Sequence, residues 1–155
     1  MAYKAYNQAK TEHAFHAFHK DMARGDFPPV IFMYGEEEYL TEWACRSLAE
    51  KFTDEAMRDM DFVKLSGDEC SSDMILEACN TFSVFSERRV IWVSGFAPLV
   101  KKSVKGFGEE ERRKITEYID NPNDRAILVF SCVRPDESGS LVKFLKKYCR
   151  CYNFT

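Results

Sequence analysis

A chain of 155 residues, 45% hydrophobic and 30% charged, has the length and apolar content for one core, and its composition excludes a disordered, collagen-like or low-complexity protein. The formal net charge of -3 supplies no overall positive field, so any nucleic-acid role has to be local or indirect. Six cysteines lack a CxxC pair and a histidine at zinc-ligand spacing, which argues against a zinc module and for reduced thiols packed as small hydrophobes.

The N-terminus opens no apolar signal-like run and no stretch approaches the length of a membrane span, so the sequence predicts a cytoplasmic chain without membrane contact. From Ala5 to Met22, Ala14, Phe15, Phe18 and Met22 share one helical face. Pro28-Pro29 forbids continuation, and Val30 to Tyr34 is a short, continuously apolar run, the mark of a strand buried on both faces of a parallel sheet. Gly35 closes it. Glu36, Glu37 and Glu38 are expected in the first turn of the next helix, where its dipole favours negative charge, followed by a stripe of Leu40, Trp43, Ala44, Ser47, Leu48 and Phe52.

Phe62 to Leu65 reads as a second strand, and the serines ending the loop Ser66 to Ser72 can cap a short helix from about Asp73 to Cys79. Turn-like residues Asn80 to Ser86 precede a third strand, Arg89 to Val93. A long connection leads to a helix from Glu109 to Ile119, stopped by Asn121-Pro122. Ala126 to Cys132 is a fourth buried strand, Ser138 or Ser140 can cap a last helix through Leu145, and Cys149 to Phe154 is a fifth strand. Alternating strands and helices predict a three-layer α/β/α domain around a five-stranded parallel sheet, undivided by any linker.

In such a sheet the default ligand site is the loop after the first strand. A phosphate-binding loop counted from Gly35 needs Gly-Lys-Ser/Thr at Leu40, Thr41 and Glu42, and has neither the glycine nor the lysine. Glu36, Glu37 and Glu38 instead place three negative charges where a polyphosphate would sit, at about 1 kcal/mol or more per close pair even in water. The acidic metal-binding residue expected after a neighbouring strand is replaced by Ser94-Gly95. No nucleotide, metal or other cofactor is therefore expected.

His13, His16 and His19 recur every third residue but fan over more than a right angle, on the side expected to face away from Phe15, Phe18 and Met22, as a solvated face would. Gly106-Phe107-Gly108 is a fragment of a dinucleotide fingerprint without its strand. Lys101, Lys102 and Lys105 read either as a solvated loop or as a contact for a phosphate backbone. Phe82, Val84 and Phe85 crowd a tight connection, where they either fold under the core or project as an apolar partner site.

Two segments carry a family resemblance. Ile31-Phe32-Met33-Tyr34-Gly35-Glu36-Glu37-Glu38-Tyr39-Leu40 is similar to an apolar strand, glycine, acidic turn and Tyr-Leu motif; Thr81-Phe82-Ser83-Val84-Phe85-Ser86-Glu87-Arg88-Arg89-Val90 is similar to a segment of small residue, apolar residue, Phe, Glu-Arg-Arg and apolar strand. Together, over nearly the whole chain, they resemble the N-terminal domain of the delta subunit of the bacterial DNA polymerase III clamp loader. The resemblance implies a P-loop NTPase-like, degenerate AAA+ domain without a functional P-loop or ATPase site, non-catalytic by itself within a nucleotidyltransferase holoenzyme. It implies residues 1–155 as one clamp-binding domain of a longer subunit, whose helical lid and collar domains the chain lacks. The implied partners are the beta sliding clamp, which the domain binds and opens, other loader subunits, and DNA through the complex. The implied anchor is Val84 and Phe85, with Phe82 beside them and Val84 where leucine is more usual. The competing reading is a small α/β nucleotide-binding protein or enzyme with an atypical site near Gly35 or Gly106.

Overall fold

Five parallel strands form a sheet that runs β2-β3-β4-β1-β5, with β1 at Val30–Tyr34, β2 at Phe62–Ser66, β3 at Arg89–Ser94, β4 at Ala126–Cys132 and β5 at Arg150–Asn153. The computed structural model describes residues 2–155, with side chains from His13 onward. Every residue of β4 and the first four of β1 are buried, as continuous apolar runs between two helical layers require. The edge strands β2 and β5 are only partly buried, matching their more polar sequences.

Alternation along the strands sorts the core into two sides. Val30, Phe32, Ile91, Val93, Leu128 and Phe130 face one layer; Ile31, Met33, Val90, Trp92, Ile127 and Val129 face the other. The first layer holds α4 (Ser72–Asn80), α5 (Glu109–Asp120) and α6 (Ser140–Tyr148); the second holds α1 (Ala2–Arg24) and α2 (Glu38–Phe52). Because α2 leaves β1 on one side and α6 leaves β4 on the other, the connections that follow the paired strands β1 and β4 diverge and open a crevice at their C-terminal ends.

Several boundaries differ from expectation. α2 begins at Glu38, so Glu36 and Glu37 belong to the preceding turn and not to the helix. Gly139 occupies the cap position of α6; the Ser138 hydroxyl donates to Asp136 Oδ1 at 2.7 Å within its own turn, and Ser140 already lies inside the helix. A 3-10 turn at Glu55–Met57 leads into the four-residue helix α3 (Arg58–Asp61), and a second 3-10 turn spans Ala97–Leu99. Ser71 caps α4 as foreseen, accepting from Met74 N at 3.2 Å. Of the cysteines, Cys45, Cys79 and Cys132 are buried, whereas Cys70, Cys149 and Cys151 are only half-buried; all six are free.

Gly35 has φ +133°, and a Cβ there would lie 2.2 Å from the Phe154 carbonyl, which also accepts the Glu37 N–H at 2.8 Å. Gly35→Ala is therefore expected to cost about 3 kcal/mol from backbone strain and displacement of the chain after β5. Denaturant unfolding checks this; a loss below about 1 kcal/mol would mean that Phe154 shifts freely.

Candidate functional site

A cleft of about 260 Å³ occupies the crevice at the C-terminal ends of β1, β3 and β4, between Gly35, Glu38, Thr41, Trp92, Ser94 and Ser131. Its floor is Trp92, whose indole N–H donates to Ser131 Oγ at 2.8 Å while the Lys64 ammonium sits 4.4 Å from its ring centroid. Four backbone N–H groups at and after the turn that follows β1 have partners in the chain. Glu37 donates to Phe154 O, Glu38 to Glu36 O at 2.9 Å, and Leu40 and Thr41 to Glu37 O at 3.1 and 3.3 Å. Glu36 is held by Arg134, whose Nε donates to its carboxylate at 2.9 Å. Most of the N–H groups at this helix start are thus bonded to protein oxygens, and the side chains the turn adds are acidic.

His13, His16 and His19 are all exposed. Contrary to expectation His16 and His19 are not turned away from Phe15: they lie against its ring, with centroids at 5.7 and 5.9 Å, because His19 follows it by four residues, and His19 also faces Trp43. Among the described residues no group of three His, Cys, Asp or Glu side chains could hold a metal ion, and no helix is long and apolar enough to cross a membrane. Lys101, Lys102 and Lys105 are exposed on the connection after β3. That connection is pinned by Phe107, which packs edge-on against Phe96 at 5.5 Å, and by Gly106 at φ +82° in the turn between Val104 and Phe107.

The connection before β3 is organised differently. Phe82 is 73%, Val84 73% and Phe85 68% exposed, so this apolar trio projects from the surface and does not complete the core. Three large apolar side chains left in water at one turn are not explained by folding. Exposed Met60 stands at the end of α3, beside the Asp61 to which the turn is bonded.

The turn is strapped down on both sides of the projecting pair. Asp61 is buried, and its Oδ2 accepts from the hydroxyls of Ser83 at 2.6 Å and Ser86 at 2.5 Å. Its Oδ1 faces Arg89 Nε at 3.4 Å. Ser86 Oγ in turn accepts from Asp54 N at 2.8 Å, and Ser83 Oγ from Ser86 N at 3.3 Å. Arg89, itself buried, also donates to the carbonyls of Met60 at 3.0 Å and Ala78. Arg88 donates from its backbone to Phe52 O at 3.1 Å and from its guanidinium to Phe27 O at 2.7 Å. The Arg125 guanidinium lies 5.9 Å from the Phe82 ring and donates to Ser86 O at 3.4 Å. Burial pushes the Asp61 carboxyl up, but hydrogen bonds from Ser83 and Ser86 and the charge of Arg89 outweigh it and hold the group below the usual carboxylate range.

The candidate residues therefore fall at two ends of the sheet. Gly35, Glu36, Glu37 and Glu38 share the C-terminal end with the lysine connection, whereas Phe82, Val84 and Phe85 stand at the N-terminal end, about 20 Å away along the six residues of β3. Asp61 was invisible as a site residue from the sequence, because its partners lie 22, 25 and 28 residues further on. The Ser83-x-x-Ser86 spacing was the available signal that the turn has a tether.

Comparison with known proteins bears on these features. The family model described as DNA polymerase III, delta subunit, matches residues 32–154. The chain is 25% identical over 131 residues to the DNA polymerase III subunit delta of Bacillus subtilis (strain 168), covering 83% of this chain and 38% of that protein. Among solved structures it is similar to the Bacillus subtilis DNA clamp loader delta protein, with a TM-score of 0.79, 23% identity and coverage of 90% of this chain and 42% of that one. It is also similar to a DNA polymerase III gamma subunit-related protein of Thermotoga maritima, with a TM-score of 0.59, 15% identity and coverage of 94% and 46%. The structural likenesses concern the fold, and the chain spans less than half the length of each of these proteins.

Proposed function

This chain belongs to the DNA polymerase III delta-subunit family, and from that premise we propose that it is the N-terminal, clamp-binding domain of a longer delta subunit. Its fold is the five-stranded P-loop, AAA+-like sheet flanked by helices. In the proposal the domain carries no ATPase chemistry; it grips the beta sliding clamp and works with the other loader subunits, meeting DNA through the assembled complex.

The observation that carries this reading is the projecting trio Phe82, Val84 and Phe85 on a strapped turn. An apolar anchor entering a pocket on a partner is how a few residues supply most of an interface, and a pre-ordered turn spends little entropy on docking. Clamp opening follows only if the open ring is bound more tightly than the closed one, since binding energy shifts an equilibrium by no more than that difference. Lys101, Lys102 and Lys105 lie at the far end of the sheet, so any DNA contact there is separate from the clamp anchor.

A second reading, a nucleotide binder using the cleft at Gly35, is disfavoured by the committed N–H groups and by the Glu36 carboxylate at the same turn. Titration separates the two. The chain is expected to bind the sliding clamp of its own organism saturably in nucleotide-free buffer, with no change on adding ATP and magnesium. Saturable ATP binding without clamp binding would transfer the function to the cleft.

A further inference from the structure

The buried carboxylate beneath the apolar turn has no role in the clamp reading as stated, yet its geometry is specific. Asp61 Oδ2 accepts from both Ser83 and Ser86, so one oxygen clasps the residue before Val84 and the residue after Phe85. Its second oxygen faces Arg89, the first residue of the strand that the turn enters. Two residues pinned at their flanks to one point beneath the surface have to bulge away from it, and 73% and 68% exposure for Val84 and Phe85 is what that constraint produces.

We propose that Asp61 is a positioning residue for the partner site: through Ser83 and Ser86 it holds Val84 and Phe85 in the projecting conformation that docks. This inference rests on the clamp-binding reading for the identity of the partner, and on the strap alone for the conformation. The same oxygen has to serve both hydroxyls, so losing either serine opens one side of the clasp. If the untethered turn occupies the docking conformation about a tenth of the time, the apparent dissociation constant rises about tenfold, because affinity falls with the competent fraction.

The test uses the 155-residue chain with Ser83→Ala, Ser83→Thr and Asp61→Ala, measuring clamp affinity, unfolding midpoint and the ¹⁵N order parameters of the Val84 and Phe85 amides. Ser83 is half-buried on the turn, so Ser83→Ala keeps the fold even if Asp61→Ala, which strands Arg89, does not. The proposal expects Ser83→Ala to remain cooperatively folded, with its unfolding midpoint lowered only by the loss of one hydrogen bond to Asp61. Its clamp binding should be about tenfold weaker, and its order parameters should fall from the rigid value of about 0.85 to below about 0.6. Ser83→Thr, which keeps the hydroxyl, restores both. Parent-like affinity or parent-like order in Ser83→Ala overturns the positioning role while clamp binding by the parent chain upholds the functional reading. A parent chain blind to the clamp overturns that reading alone, and the order parameters then decide the strap by themselves.

Discussion

Replacing Val84 and Phe85 together by alanine is expected to abolish measurable clamp binding while leaving the fold intact. Both side chains are mostly in water, so their removal takes almost nothing from the core; surface changes of this kind alter stability by about 0.5 kcal/mol or less. For a domain of this size the unfolding midpoint then moves by roughly 2 °C at most. At a docking centre the same truncations act on the buried state, where an apolar anchor contributes about 2 kcal/mol or more, roughly thirtyfold in affinity for each residue. The pair should together weaken binding by about a thousandfold, read by titration with purified clamp. Unchanged affinity in a folded double variant would place the partner site elsewhere.

Arg89→Ala is expected to be the most destabilising change at this end of the sheet. The guanidinium is buried, faces Asp61 at 3.4 Å and donates to the carbonyls of Met60 and Ala78, so truncation strands a buried carboxylate and leaves carbonyls without a donor. Breaking a buried pair on one side costs about 3–5 kcal/mol, because the remaining charge is left uncompensated. That is a large share of the roughly 5–15 kcal/mol that holds a domain together, and the midpoint should fall by roughly 10 °C. Arg89→Lys should recover little, since one ammonium cannot reproduce the fork that reaches three acceptors from two elements. A loss below about 1 kcal/mol in denaturant unfolding would show that Asp61 finds another partner.

The parallel sheet was legible because Val30 to Tyr34, Val90 to Val93 and Ala126 to Phe130 are continuous apolar runs separated by helix-length segments, a pattern that admits few other folds. The departure from the phosphate-loop motif is a matter of residue identity alone, since Leu40, Thr41 and Glu42 stand where Gly-Lys-Ser/Thr is required. Helix α3 was not: Arg58 to Asp61 is four polar or flexible residues without a period, and it exists because Asp54 caps the turn before it. Whether Phe82 and Phe85 fold under or project could not be read from their apolarity, since hydrophobic side chains satisfy either reading. The deciding contacts come from Asp61, distant in sequence, and from the serines that frame the pair.

Where the clamp touches this chain decides between the apolar turn and the cleft. Amide hydrogen exchange of the 155-residue chain, with and without its sliding clamp, reads that surface without any substitution. Protection is predicted at residues 82–86 and at the neighbouring end of α3 around Met60, with the turn at Gly35 and the lysine connection unchanged. Protection confined to the Gly35 cleft, or none at the apolar turn, would contradict the clamp-binding reading.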